Sequence, residues 1–179
     1  TFSTPIKEIP EQALEIILHG GDETFPVKSN SSSDFSYNLA YDGLFKAAHH
    51  GDVAEIARLA SEGADANARD ATGRAPIHVA AFASQDDALR ALADAGAHMN
   101  ALDGQAYDVV TIAAVANDPD LMSLAIDLGN DPGLVTSPYD GTALIAAAHL
   151  GHAEVVRRLI AAGAPLDHVN NLNWTAVME

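Results

Sequence analysis

The sequence predicts an all-α solenoid, a stack of units that each read helix, tight turn, helix, loop. Four recurrences in one register carry that prediction. Gly63, Gly96, Gly129 and Gly163 stand 33, 33 and 34 residues apart. Paired alanines keep the same phase at Ala47-Ala48, Ala80-Ala81, Ala113-Ala114 and Ala147-Ala148. Ile56, Leu89, Met122 and Val156 follow the alanines, and Leu59, Leu92, Ala125 and Leu159 follow those three positions later. A single unit of this kind cannot bury its own apolar face, whereas stacked neighbours can.

Each element has a local reason. The first helix of successive units is predicted to open at Asp42, Ala75, Asp108, Thr142 and Thr175. All but Ala75 offer a side-chain oxygen to the free N–H groups of a first turn. Pro76 follows Ala75, at a position where a helix tolerates a missing N–H. The paired alanines are small because neighbouring helices approach closely there. The second helix places its apolar residues at i and i+3, one face toward the core. The glycine after it supplies the positive φ of a helix C-cap.

The segment Gly73-Arg-Ala-Pro-Ile-His-Val-Ala-Ala81 resembles the ankyrin motif G-x-T-P-L-H-x-A-A. The segment Gly151-His-Ala-Glu-Val-Val-Arg-Arg-Leu-Ile-Ala-Ala-Gly-Ala164 resembles its second half, and Asp140-Gly-Thr-Ala-Leu144 and Trp174-Thr-Ala-Val177 repeat the opening. The chain is thereby identified as a bacterial-type ankyrin repeat protein. The resemblance implies an ankyrin-repeat solenoid of helix-turn-helix units with β-turn tips. Repeats are expected at about 37–69, 70–102, 103–136 and 137–169, with a partial fifth at 170–179. In the third, Asn117-Asp118-Pro119 replaces the mid-repeat Gly-His, and Asn130-Asp-Pro-Gly133 replaces the usual ending. That repeat is expected to be the least regular, with a displaced second helix.

Residues 1–36 fall outside the repeat pattern. A short amphipathic helix is expected from Pro10 to Gly21, an extended piece at Thr24 to Lys28, and a polar linker at Ser29 to Ser36. The run from Thr4 to Gly21 faintly resembles a segment within the large ATPase of bacterial excision repair. The chain contains no phosphate-binding G-x-x-x-x-G-K-[ST] loop and no cysteine, so none of that chemistry is carried over. Residues 1–36 are therefore expected to be a cap or an appended piece, and both ends of the chain read as cuts in a longer product.

Composition narrows the function. A formal charge of −16, from 25 acids against nine Lys and Arg, repels phosphate backbones and argues against nucleic-acid binding. Without cysteine there are no disulfides or thiolate sites. Mean hydropathy is +0.04 and apolar runs are short, so no membrane span of about 20 residues is expected. The compartment is undetermined, cytoplasmic or periplasmic for a soluble chain. No nucleophile elbow, zinc-protease or P-loop pattern occurs, and no catalysis, cofactor or metal is expected. His49 and His50 invite a metal reading, but adjacent helical residues diverge and a third ligand is missing. His149 and His152 lie three repeats away, roughly 25–30 Å at the usual helix spacing.

What remains is surface. The resemblance implies that partners bind at the β-turn tips and the concave side of the first helices. In this chain those positions hold Asn38, Tyr41, His49 and His50, then Arg74 and Phe82, then Gln105 and Tyr107. They continue with Tyr139, His149 and Leu150 and end at Trp174. Trp174 either anchors a partner or packs between tips, and the sequence leaves both open. The resemblance also implies that His78 hydrogen-bonds neighbouring backbone. A non-enzymatic, monomeric module for a protein or peptide partner, with a neutral-to-basic patch on that partner, is the expectation. The alternatives are a targeting or regulatory arm of a longer protein, or a fusion with a DNA-repair segment.

Overall fold

The computed structural model describes the backbone of residues 39–178 and the side chains of residues 43–178. The element order is α1 Leu39–His50, α2 Val53–Ser61, α3 Pro76–Phe82, α4 Asp86–Asp94, α5 Val109–Ala116 and α6 Pro119–Asp127, then β1 Val135–Thr136, β2 Gly141–Thr142, α7 Ala143–His149 and α8 Ala153–Ala161. First helices α3, α5 and α7 pack neighbour to neighbour, and second helices α2, α4, α6 and α8 form a parallel row behind them. This is the helix-turn-helix solenoid that the period implies.

The core sits between the rows. Ala48, Ala81 and Ala114 are buried with Ile56, Leu89 and Met122, as the pattern requires. A further register, Leu44, Ile77, Val110 and Leu144, is also buried; these residues fill the space beside the small alanines. Val156 is only partly covered, and Val155 is fully buried instead. Among the described residues no second helix follows α8 to cover Val156.

Three expectations about helix ends need correction. The first helix does not open at Asp42: α1 begins at Leu39, because no glycine or proline interrupts the helix-forming residues before Asp42. Thr175 opens a single turn, closed by Met178 N–H on the Thr175 carbonyl at 3.1 Å, and one turn repays little of the cost of nucleating a helix. The second helix of the third repeat is not displaced. Asp118 accepts from the Leu121 N–H at 3.0 Å and Pro119 takes the first helical position. Asn117 adopts φ +56, where the first and fourth repeats use Gly51 and Gly151. Asparagine is one of the few residues that enter this region readily, so the turn survives the loss of glycine.

The tips share a device that the repeat pattern alone does not show. Asp70, Asp103, Ser137 and Asn170 each turn a side-chain oxygen onto the N–H groups two and four residues ahead. Short polar side chains stabilise turns in this way. The chain then crosses itself, as in Asp103 N–H to the Tyr107 carbonyl at 2.8 Å and Asn170 N–H to the Trp174 carbonyl at 3.0 Å. The third tip alone forms a regular antiparallel pair among the described residues, Val135 opposite Thr142 and Thr136 opposite Gly141. Successive tips are bonded together by Ser137 N–H to the Ala106 carbonyl and Asn171 N–H to the Tyr139 carbonyl. Gly104 has to be glycine, since a Cβ there would lie 2.1 Å from the Thr72 carbonyl oxygen.

Behind the tips, Asn67 and Asn100 latch consecutive loops, accepting from the His98 and Asp131 N–H groups at 2.7 Å. His78 bridges repeats as expected: it accepts from the Ala75 N–H and donates to the Ala101 carbonyl, both at 2.9 Å. Both bonds require the neutral ring, and burial lowers its pKa.

Candidate functional site: a concave groove between tips and first helices

One groove of about 440 Å³ opens on the tip side of the third and fourth repeats. Its outer wall comes from the tips through Tyr107, Ser137, Tyr139, Leu172 and Trp174. Its inner wall comes from the first helices through Thr111, Val115, Ile145, His149 and Leu150. The positioning is local in origin. The turn bonds to Asn170 hold the Trp174 backbone, and the Trp174 ring centroid rests 6.5 Å from that of His149. Tyr107 is placed by its N–H bond to Asp103 at 2.9 Å. The floor is pinned by the buried hydroxyl pair Thr111–Thr136 at 2.8 Å.

Of the twelve residues the sequence singled out, five line this groove: Tyr107, Tyr139, His149, Leu150 and Trp174. Tyr139 is 58% exposed and Trp174 43%; Trp174 both touches His149 and presents surface to solvent. Phe82 is 55% exposed at the end of α3 but lies outside the groove lining. Gln105 is exposed at the second tip. Arg74 is engaged within its own tip, paired with Asp70 at 2.8 Å. Partial burial would push the Asp70 carboxyl up, but bonds from Thr72 and Arg74 outweigh that and hold it well below the usual range. His49 and His50 are exposed, their rings edge to face at 5.0 Å. Asn38 lies outside the described residues, as does the side chain of Tyr41.

Leu172 and the Thr111–Thr136 floor were not among the residues the sequence singled out. Leu172 was legible: it occupies the tip position held by Thr72, Gln105 and Tyr139 in the preceding repeats. The threonine floor was not, since Thr136 reaches it only through the β1–β2 pairing.

Among the described residues the lining carries one imidazole and two phenols, with no carboxylate, ammonium or guanidinium group. It is built for apolar and aromatic contact, with hydroxyls and the Asn170 amide as its polar points. Among the described residues no three His, Asp or Glu side chains come together as a metal site, and no helix is long and apolar enough to cross a membrane.

A two-row helical solenoid with stacked turn tips and a concave groove defines a repeat protein of the interaction class. The family described as "Ankyrin repeats" matches residues 12–103 and 110–179 in three copies. The chain belongs to the ankyrin-repeat family, whose members are protein–protein interaction modules. A stretch of 85 residues is 34% identical to the potassium channel KOR2 of Oryza sativa subsp. japonica. That stretch covers 44% of this chain and spans 12% of the channel's length. The resemblance of residues 4–21 to an excision-repair ATPase gains no support from these matches, and the ankyrin match itself opens at residue 12, within that run.

Proposed function

We propose that this chain is a non-enzymatic module that binds a protein or peptide on its concave face, centred on the groove between Tyr107 and Trp174. The carrying observation is the exposure of large rigid aromatics beside apolar helix ends in one concavity, since buried aromatic anchors dominate the energy of protein interfaces. Phe82, His49 and His50 extend the same face toward the earlier repeats, and Arg74 and Gln105 extend its rim. Peptides selected on the immobilised chain by phage display, then mapped by ¹H–¹⁵N shift changes, test this reading. Shifts are expected to concentrate at Val115, Tyr139, Leu150 and Trp174. Shifts confined to α2, α4, α6 and α8 would assign binding to the outer row and overturn it.

A second reading, a targeting or regulatory arm of a longer protein, is favoured by one observation: the match to the channel spans only 12% of its length. The coding sequence on either side of this segment separates the two readings.

A further inference from the structure

We propose that the groove takes an extended segment of a partner protein in which an aromatic or aliphatic anchor is flanked by lysine or arginine. The proposal rests on the concave-face reading and names what that face selects. Its basis is where the charges lie. Among the described residues no lysine or arginine lines the groove. Lys46, Arg58 and Arg90 sit on helices of the first two repeats, and Arg69 and Arg74 are bonded within the first tip and its neighbouring loop. Beyond Arg90 the chain holds only Arg157 and Arg158, both on α8 and paired with Glu154 and Asp120.

One carboxylate, in contrast, stands at the opening. Asp140 is exposed between the lining residues Tyr139 and Gly141, whereas the Asp103 carboxylate is turned into its own tip, accepting from the Gln105 and Tyr107 N–H groups. On a chain of formal charge −16, Asp140 has no lysine or arginine opposite it in the lining among the described residues. A concavity with low-dielectric walls concentrates such a field. The faces of Tyr139 and Trp174 attract cations in addition to apolar groups. The volume is in the range of a small-ligand pocket, with room for more than one inserted side chain while flanking residues run over the rim beside Asp140. An acidic segment meets repulsion at the same rim.

Three labelled peptides of about ten residues, sharing a Trp-Leu centre and flanked by Lys/Arg, Ser/Gly or Asp/Glu, provide the test by fluorescence anisotropy on the full chain. The basic peptide is expected to bind tightest and to weaken about fivefold or more between about 20 and 200 mM salt. Tyr139→Ala and Trp174→Ala are each expected to weaken it by about fivefold or more, while Ile160→Ala on the outer helix leaves it unchanged. Asp140→Asn, which keeps a side chain tolerated at φ +53, is expected to weaken binding about twofold and flatten the salt dependence. Circular dichroism of each variant verifies the fold. Equal or tighter binding of the neutral or acidic peptide, lost in the aromatic variants, overturns the charge selection and leaves the concave-face reading standing. Binding of the basic peptide that ignores both aromatic variants overturns the proposal as diffuse attraction. If no peptide binds, a linear segment is not the occupant, and the shift mapping of selected binders judges the face by itself.

Discussion

Asn130 and Asp108 form a buried polar pair with no counterpart in the neighbouring repeats, where Ala75 and Ala97, or Thr142 and Ala164, occupy the same places. Asp108 is 1% exposed. Its Oδ1 accepts from the Thr111 N–H at 2.8 Å and its Oδ2 from Asn130 Nδ2 at 2.8 Å. Asn130 Oδ1 finds no partner. Asn130→Ala strands Asp108 Oδ2 in the interior, a loss of about 1.5–3 kcal/mol for a bond to a charged group. It also removes the orphaned carbonyl, recovering about 1 kcal/mol. A net loss of about 0.5–2 kcal/mol follows. The double variant Asp108→Thr/Asn130→Ala recreates the Thr142/Ala164 pair, including a threonine cap of the kind that accepts from the Ile145 N–H. It is expected to return to within about 0.5 kcal/mol of the parent, so the second change recovers what the first one cost.

The measurement is the urea midpoint followed by far-ultraviolet circular dichroism. It has a pH signature as well. Burial pushes the Asp108 carboxyl up, above an unfolded value of about 3.9. A raised pKa means that stability from this group is full in acid and is lost as pH rises through the folded pKa. Removing the Asn130 donor raises it further, so the gap between single variant and parent is widest near neutrality and narrows toward pH 4. An unchanged midpoint for Asn130→Ala, or a double variant as unstable as the single one, refutes the reasoning.

Two further outcomes follow from the hydrogen-bond and backbone geometry. His78→Ala leaves the Ala75 N–H and Ala101 carbonyl without their imidazole partner, and a loss of about 2–4 kcal/mol is expected in the same assay. Because burial lowers the folded pKa of His78, its contribution is full above about pH 6.5 and declines as pH falls toward the folded value; the variant should lose that part of the pH slope. Ala106 holds φ +61 at the tip position where Gly73 holds φ +78. Ala106→Gly should raise stability by about 0.5–1 kcal/mol, read as a higher melting temperature, and a lower one contradicts a left-handed Ala106.

Much of the architecture was legible because it is local and periodic. The recurring glycines end second helices, the alanines mark close approach, and Asp108 and Thr142 cap as their side chains allow. His78 was legible through the ankyrin motif. Helix ends were less so. The turn at Asn117 looked like a defect because the pattern asks for glycine, yet asparagine reaches the same φ. Asp42 looked like a cap, but nothing before it stops the helix.

By itself the sequence determined the repeat, the two-row stack and the absence of lysine and arginine after Arg90 apart from Arg157 and Arg158, because these depend on residue type and spacing alone. Only the tertiary structure decided which exposed aromatics share a surface. Tyr107, Tyr139 and Trp174 come from three different tips, and they meet because backbone bonds stack those tips beside the ends of α5 and α7. Phe82 keeps the same sequence register yet stays outside the lining, since the walls begin at Tyr107 and Val115. Register assigns a residue to a face, and packing between repeats turns part of that face into a groove.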